Sequence, residues 1–455
     1  MRPLDMIEAK KQGQEHDCAQ IAALVAGLMS GEVPDYQMAA WLMAVRWRGL
    51  SRREAADLTD VLVKSGRTID LLRAGLEPPF VDKHSTGGVG DKLSLVVVPL
   101  LMAAGATVVK LSGAGLGHTG GTVDKLASIP GFRVDLGIDE IVQIARATGG
   151  CLASQTADLV PADGLIYALR DATATVDSLP LIAASIMSKK LAAGAGTIVL
   201  DVKVGKGALL PRVEQGKELA ALLVELAAGA GRQAVALLTA MDEPLGRTVG
   251  NAIEVNEALE VLRGGGPEDV RRLSLALAAE AMAAAVLVPS SGRALEVARR
   301  LLSSGQALER LLRLVKAQGG EPATLERGEG LRLAAQSAEV AAEADGDLVA
   351  VDARLVGQAA VALGAGRSRK GQTLDSGAGI RLLVQSGQRI ERGQPLAVVY
   401  ATGEARLAAG IELLRKAFVL SDDPSPAGQA AKPSGTVLQV IRAPQGPPKR
   451  DEVRP

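Results

Sequence analysis

Aromatic side chains are scarce, 2% of a 455-residue chain, so an extended base-stacking platform for nucleic acid is not expected. Cysteine is almost absent: Cys18 and Cys151 stand far apart, which speaks against a disulfide framework and fits a reducing cytoplasm. Net charge is lacking as well. Lys plus Arg number 51 and Asp plus Glu 51, leaving no basic field to draw in nucleic acid or an anionic membrane. Any anion has to be bound by local groups. The longest apolar run, Leu95 to Ala106, is too short to span a bilayer and contains Pro99 and Gly105, and Met1 to Asp17 mixes charges of both signs without the apolar stretch of a secretory signal. What the chain does have is 47% apolar residues and 52 glycines. The first is enough for a sizeable core, about three domains at this length.

The glycines are concentrated where chemistry can use them. Lys83-His84-Ser85-Thr86-Gly87-Gly88-Val89-Gly90-Asp91 lies between a short apolar run at Pro79 to Val81 and a second, Leu93 to Met102, read as a strand and a buried helix. Glycines between a strand and a helix let backbone N–H groups turn toward one point, where the helix start adds partial positive charge. Lys83, His84 and Ser85 add an ammonium, an imidazole and a hydroxyl. A second loop, Ser112 to Lys125, carries five glycines with Ser112, Thr119 and Thr122 as hydroxyl donors. Neither loop matches a Walker A or a dinucleotide fingerprint.

Around these loops the periodicity changes. Ile21, Leu24, Val25 and Leu28, then Met38, Trp41, Leu42 and Val45, then Ala55, Leu58 and Leu62 predict three amphipathic helices, the third capped by Ser51 and Glu54 and stopped at Gly66. From Leu76 onward short β-branched runs (107–111, 151–153, 197–202, 234–238) alternate with helical segments. That is an α/β pattern with a mostly parallel sheet, in which polar loops gather at the carboxyl ends of strands. Pro180 suits the first turn of a helix, on which Ser185 and Lys189, four residues apart, share a face. Arg170 and Lys189 read equally well as solvated surface charges.

The motifs KHSTGGVGD (83–91), SGAGLGHTGGTVDKLASIPGF (112–132), ALRDATATVDSLPLIAASIMSKK (168–190) and LDVKVGKGA (200–208) together resemble the pyrimidine-nucleoside phosphorylase and thymidine phosphorylase family over nearly the whole chain. The resemblance implies reversible phosphorolysis of uridine, deoxyuridine or thymidine by inorganic phosphate, giving the free base and α-D-(deoxy)ribose 1-phosphate. It implies phosphate ligands at Lys83, Ser85, Ser94, Ser112 and Thr122, and pyrimidine contacts at His84, Arg170, Ser185 and Lys189. His84 would act as general acid or as donor at O2, with Arg170 and Lys189 stabilising the departing base; His118 is expected to be structural. It also implies the architecture: a small helical domain (1–66, joined by about 160–192), a large α/β domain (67–159 and 193–335), and a C-terminal biotinyl/lipoyl-like β-hairpin domain (336–455); the Pro- and Gly-rich composition after Asp422 predicts a mobile tail. Domains would close over phosphate on the large domain and base on residues 165 to 190, in a cytoplasmic homodimer formed through the helical domain.

The chain departs from the family pattern at three places. Ala114 stands where the family usually has arginine, and Leu209 where relatives commonly place phenylalanine beside the base. Lys92 stands where the nucleoside phosphorylase branch often offers a hydroxyl to a monovalent cation. That cation site would lie near Gly90 and Glu254, with the Lys92 ammonium expected to take the place of K+; no other metal or cofactor is expected. Two other readings remain at this point. An anthranilate-type phosphoribosyltransferase shares the helical plus α/β plan, but would want acidic Mg2+ ligands. A non-catalytic nucleoside-binding protein could keep the glycine cradle without turnover.

Overall fold

In the computed structural model the chain is described for residues 2–113, 115, 117–118, 120–326, 328, 330–367, 369, 372–421 and 434–443. Four helices come first: α1 (Pro3–Lys11), α2 (Cys18–Ser30), α3 (Asp35–Arg48) and α4 (Arg52–Lys64). The apolar stripes read from the sequence are their buried faces, with Met38, Trp41, Leu42 and Val45 completely enclosed. Ser51 and Glu54 form the expected reciprocal cap of α4. Helix α1 has no comparable stripe; it is held by Lys10, whose buried ammonium bonds Glu54, a contact 44 residues away that local periodicity cannot reveal.

The α/β part follows as β1 (Val81–Ser85), α5 (Ser94–Ala103), β2 (Val108–Ser112), α6 (Thr122–Ala127), α7 (Ile138–Thr148) and β3 (Gly150–Ser154). Next come α8 (Pro161–Ala172), α9 (Leu179–Ala192), β4 (Thr197–Val204), α10 (Val213–Gly229), β5 (Gln233–Ala240) and β6 (Thr248–Gly250). Helices α11 (Ala252–Leu262), α12 (Glu268–Ala284), α13 (Ser291–Ser303), α14 (Gln306–Ala317) and α15 (Ala323–Glu326) complete it. Strands β1, β4 and β5 run parallel, β4 being buried at every residue, as a sheet covered on both faces requires. Helices α8 and α9 leave the sheet and pack on α3 and α4.

The C-terminal part comprises β7 (Gln336–Ala341), β8 (Gly346–Val351), α16 (Ala353–Leu363), β9 (Gly379–Leu382), β10 (Arg389–Ile390), β11 (Pro395–Ala401), α17 (Glu404–Arg415), β12 (Phe418–Ser421) and β13 (Val437–Arg442). Its strands match the glycine-punctuated runs, but α16 and α17 were not expected in a β-hairpin domain; they pack on each other and give it a core of its own, with Val356, Leu363 and Leu414 fully buried. The expected mobile tail needs a correction. Residues 437–442 are strand β13, which returns to pair antiparallel with β5 and closes that edge of the main sheet. An edge strand leaves a row of unpaired N–H and C=O groups, and β13 satisfies them. Residues 422–433 and 444–455 of that tail lie outside the described residues. The C-terminal part is also sewn in at β6, which pairs with β9. No helix of the described residues is long and apolar enough to cross a membrane.

Candidate active site

Strand β1 lies between β4, with Lys83 opposite Val199 and Ser85 opposite Asp201, and β2, reached through the Val81 N–H to the Thr107 carbonyl at 2.9 Å. All three are parallel, so the loops after Ser85, Ser112 and Val204 emerge on one edge of the sheet. Lys83, His84 and Ser85 are therefore strand residues, not loop residues. The strand runs to the mouth of the loop and fixes the directions of these side chains. Ser94 and Thr122 are the first residues of α5 and α6, and Ser112 is the last of β2, so the expected phosphate hydroxyls sit at strand and helix ends around this edge. Gly90 has φ +75°, and a Cβ there would lie 2.4 Å from the Leu245 carbonyl oxygen, so only glycine fits. Thr119 and Ala114 lie outside the described residues.

At this edge ionised groups are buried together. The Lys83 ammonium stands 3.9 Å from Asp91 and 3.7 Å from Asp201, but makes no hydrogen bond to any described residue. Lys203 is 2.9 Å from the same Asp201 carboxylate, whose other oxygen accepts from the Thr239 hydroxyl. Lys190 is 2.8 Å from Asp82 and donates to the Leu111 carbonyl at 3.1 Å. Lys110 donates to the Lys83 carbonyl at 2.6 Å. Four lysines thus face three aspartates. Burial, then the charge of Lys190, pushes Lys110 down to about 7, the response expected of the weakest cation in a cluster with one too many. Burial alone would raise the Asp91 carboxyl, but Lys83, Lys203 and the Ser85 hydroxyl, bonded at 2.5 Å, hold it far below the usual range. An arriving anion supplies the missing charge and gives Lys83 a hydrogen-bond acceptor.

His84 follows Lys83 on the strand. Burial and the ammonium groups of Lys190, Lys110, Lys83 and Lys189 hold its pKa well below 6.5. The imidazole is neutral at pH 7, so of its two expected roles the structure favours hydrogen-bond donor over cationic general acid.

The expected base-binding groups are on α8 and α9. Lys189 donates to the Ser185 hydroxyl at 2.9 Å, as the four-residue spacing requires, and its ammonium is also 2.6 Å from Asp163. Arg170 is not a solvated surface charge. It is buried and donates to the carbonyls of Thr175 (3.4 Å), Leu181 (3.2 Å) and Val176 (2.7 Å), so it fixes the turn between α8 and α9. Tyr167 lies between the two cations, with its ring centre 5.6 Å from Arg170 and 5.7 Å from Lys189. The adjacent lysines of α9 thus divide: Lys189 serves the helical side, while Lys190 ties that helix to Asp82 of β1 and Leu111 of β2.

Lys92 is enclosed. Its ammonium donates to the carbonyls of Leu245 and Thr248, each at 2.9 Å, and to the Thr248 hydroxyl at 3.4 Å, and pairs with the Glu257 carboxylate. The carboxylate expected here was Glu254; instead Glu254 accepts from the Gly250 N–H at 3.0 Å and pairs with Lys125 at 3.3 Å. His118 is half-buried, and burial lowers its pKa; Leu209 lies partly exposed on the loop after β4.

Asp82, Lys110, Asp163, Tyr167, Lys190, Asp201, Lys203 and Glu257 were not singled out from sequence. A signal existed for some of them. Lys110 and Asp201 are charges inside otherwise apolar runs that read as buried strands, and a buried charge needs a partner.

Residues 77–308 match the family described as "Glycosyl transferase family, a/b domain", residues 4–66 its "helical bundle domain", and residues 348–421 the "Pyrimidine nucleoside phosphorylase C-terminal domain". The chain is 43% identical over 408 residues to the pyrimidine-nucleoside phosphorylase of Geobacillus stearothermophilus, covering 89% of this chain and 93% of that one. It is 46% identical over 419 residues to the thymidine phosphorylase of Mycobacterium tuberculosis strain H37Rv, covering 92% and 95%. Among solved structures, the anthranilate phosphoribosyltransferase of Thermus thermophilus superposes with a TM-score of 0.56 at 19% identity, over 69% of this chain and 99% of that one. That likeness concerns the fold alone.

Proposed function

The chain belongs to the pyrimidine-nucleoside phosphorylase and thymidine phosphorylase family, and on that premise we propose that it catalyses reversible phosphorolysis of uridine, deoxyuridine or thymidine to the free base and α-D-(deoxy)ribose 1-phosphate. The observation that carries the reading is Lys83: a fully buried ammonium without a hydrogen-bond acceptor among the described residues, in a cluster one positive charge in excess, at the mouth of a glycine loop. Phosphate held there by Lys83, Ser85, Ser94, Ser112 and Thr122 is both nucleophile at C1' and counter-charge to the cationic sugar of the transition state. His84, Arg170, Ser185 and Lys189 receive the pyrimidine, whose carbonyl oxygens gain negative charge as the glycosidic bond breaks. Asp163, 2.6 Å from the Lys189 ammonium, aims it. Incubation with uridine or thymidine should release free base only when phosphate is present; no release from any pyrimidine nucleoside overturns the reaction. The two free thiols, exposed Cys18 and buried Cys151, suit the cytoplasm in which we place the enzyme.

The reading separates from a phosphoribosyltransferase by its relatives and by the base side of the site. Arg170, Ser185 and Lys189 are donors that match the carbonyl oxygens of a pyrimidine, and the described residues hold no cluster of acidic groups suited to the Mg2+ a phosphoribosyltransferase would want. On the same reading no cofactor is needed beyond phosphate as co-substrate: two carbonyls, a hydroxyl and a carboxylate are the donor set of a K+ site, and the Lys92 ammonium sits among them.

A neutral His84 has a consequence for pH. Burial and the surrounding ammonium groups hold its pKa well below 6.5, so it does not change charge between pH 7 and 8. His84→Ala should lower kcat/KM by about 100-fold, the loss typical of one transition-state donor, and by the same factor at both pH values. A tenfold difference between them would mean that the imidazole titrates in this range. Ser94→Ala should cost far less in kcat, since Ser94 serves phosphate and not the leaving group.

The helical part carries the assembly. Tyr36, Met43 and Trp47 lie on one face of α3, Tyr36 being 73% and Trp47 78% exposed, with Leu4 of α1 and Leu165 of α8 also exposed. Apolar side chains of this size left uncovered mark an interface, and we assign it to a second copy of this chain. Trp47→Glu should turn a dimer into a monomer by light scattering coupled to size exclusion; an unchanged mass would place the interface elsewhere.

A further inference from the structure

The second glycine loop, Ser112 to Gly121, contains no lysine or arginine, yet it is followed by the buried carboxylate of Asp124 at the start of α6. One oxygen of Asp124 accepts the Gly115 N–H at 2.7 Å. The other is 2.8 Å from the guanidinium of Arg367, a residue of the C-terminal part, whose strands and helices supply no group expected to touch phosphate or nucleoside.

We propose that Arg367 is a positioning residue for phosphate binding: acting through Asp124, it holds the backbone of Gly115 and neutralises a carboxylate that would otherwise repel the anion. Two further features support a working contact between the C-terminal part and the loop. Helix α16 approaches the loop so closely that a Cβ on Gly357 would stand 2.4 Å from the His118 carbonyl oxygen; backbone lies there, so glycine is required. And the C-terminal part is fixed to the α/β part by the β6–β9 pairing and by the Asn251 amide donating to the Ala365 carbonyl at 2.8 Å, two residues from Arg367. Arg367 therefore acts from a rigid mount. Its side chain is 29% exposed, so removing it leaves no cavity in the core. The chemistry is that of a charge-assisted pair whose loss uncovers a buried charge. The loss falls on phosphate, not on the nucleoside, because Asp124 and Gly115 belong to the loop side of the cleft.

This inference deepens the proposed phosphorolysis and rests on that reading for the identity of the anion. Its test is calorimetric titration of the full-length chain with inorganic phosphate, and separately with a pyrimidine nucleoside. Arg367→Ala should weaken phosphate about tenfold while nucleoside affinity stays within about twofold; Arg367→Lys, which keeps the charge, should recover most of the loss. Adding Asp124→Asn to Arg367→Ala should improve phosphate binding over Arg367→Ala alone, because the uncovered charge is gone. Phosphate affinity within about twofold of wild type in Arg367→Ala overturns the proposal. So does an equal loss for phosphate and nucleoside, or an Arg367→Lys variant no better than alanine. The titration needs no turnover: a wild-type chain that binds phosphate but releases no base would refute the reaction and still decide the role of Arg367.

Discussion

Replacing Lys83 by methionine is expected to lower kcat/KM for phosphate by about a thousandfold, or about 4 kcal/mol of transition-state stabilisation. The size follows from three features. The ammonium is fully buried, so its bond to an anion is little screened by water. It has no hydrogen bond among the described residues, so phosphate does not compete with an existing partner. And it supplies the excess charge of its cluster: without it Lys110, Lys190 and Lys203 balance Asp82, Asp91 and Asp201, and nothing remains to offset a dianion. Methionine keeps the volume, which limits the damage to packing. Folding suffers less than usual for a broken buried pair, because Asp201 retains Lys203 at 2.9 Å and Asp91 retains the Ser85 hydroxyl. Steady-state kinetics with varied phosphate, together with a melting curve, check this. A loss smaller than about tenfold would make Lys83 a structural ion-pair member and move the phosphate elsewhere.

Lys92→Thr is expected to make the enzyme dependent on K+. The wild-type ammonium is tied to two carbonyls, a hydroxyl and the Glu257 carboxylate, all of them hard oxygens. Glu254 and Glu257 hold Lys92 in its charged form against burial. Removing the cation leaves Glu257 buried and unpaired, a situation that costs about 3–5 kcal/mol, and the cage includes the Leu245 carbonyl against which Gly90 of the first glycine loop is packed. Lys92→Thr in Na+ should therefore melt well below wild type and lose at least about tenfold in kcat/KM. K+ should restore much of both, because threonine adds a hydroxyl to a donor set that suits the ion. The wild-type enzyme should respond equally to K+ and Na+. Strong selective activation of wild type by K+ would show that the ammonium does not replace the ion.

How much of this was legible in the sequence depended on how local the physics was. Helices α2, α3 and α4 are amphipathic, and their buried stripes could be read residue by residue. The Ser185–Lys189 contact follows from helical spacing, and the first glycine loop could be read as a candidate anion site because the strand, loop and helix are contiguous. Contacts that do not follow regular helix or strand spacing were hidden. Nothing near Arg170 said that its guanidinium would be used by the carbonyls of Thr175, Val176 and Leu181. Nothing near Lys92 distinguished Glu257 from Glu254, which are both on α11 and one turn apart. Strand β13 was hidden for the same reason: a six-residue stretch in a Pro- and Gly-rich tail becomes a strand because β5, some 200 residues earlier, offers it an open edge. The lysine and aspartate cluster is the intermediate case. Lys110 and Asp201 stood out in their apolar strands, but the pairing required the sheet order.

The central claim is that β1 serves both reactants from adjacent residues, Lys83 for the nucleophile and His84 for the leaving group. It is tested most directly by kcat/KM for a series of uridines whose C5 substituents make the base an increasingly stable anion, in wild type, His84→Ala and Lys83→Met. A base that leaves easily needs less help from a donor at its carbonyl oxygen. The account predicts that the His84→Ala defect shrinks steadily along the series while the Lys83→Met defect stays constant. A constant His84→Ala defect, or one that shrinks no more than that of Lys83→Met, would contradict the division of labour along the strand.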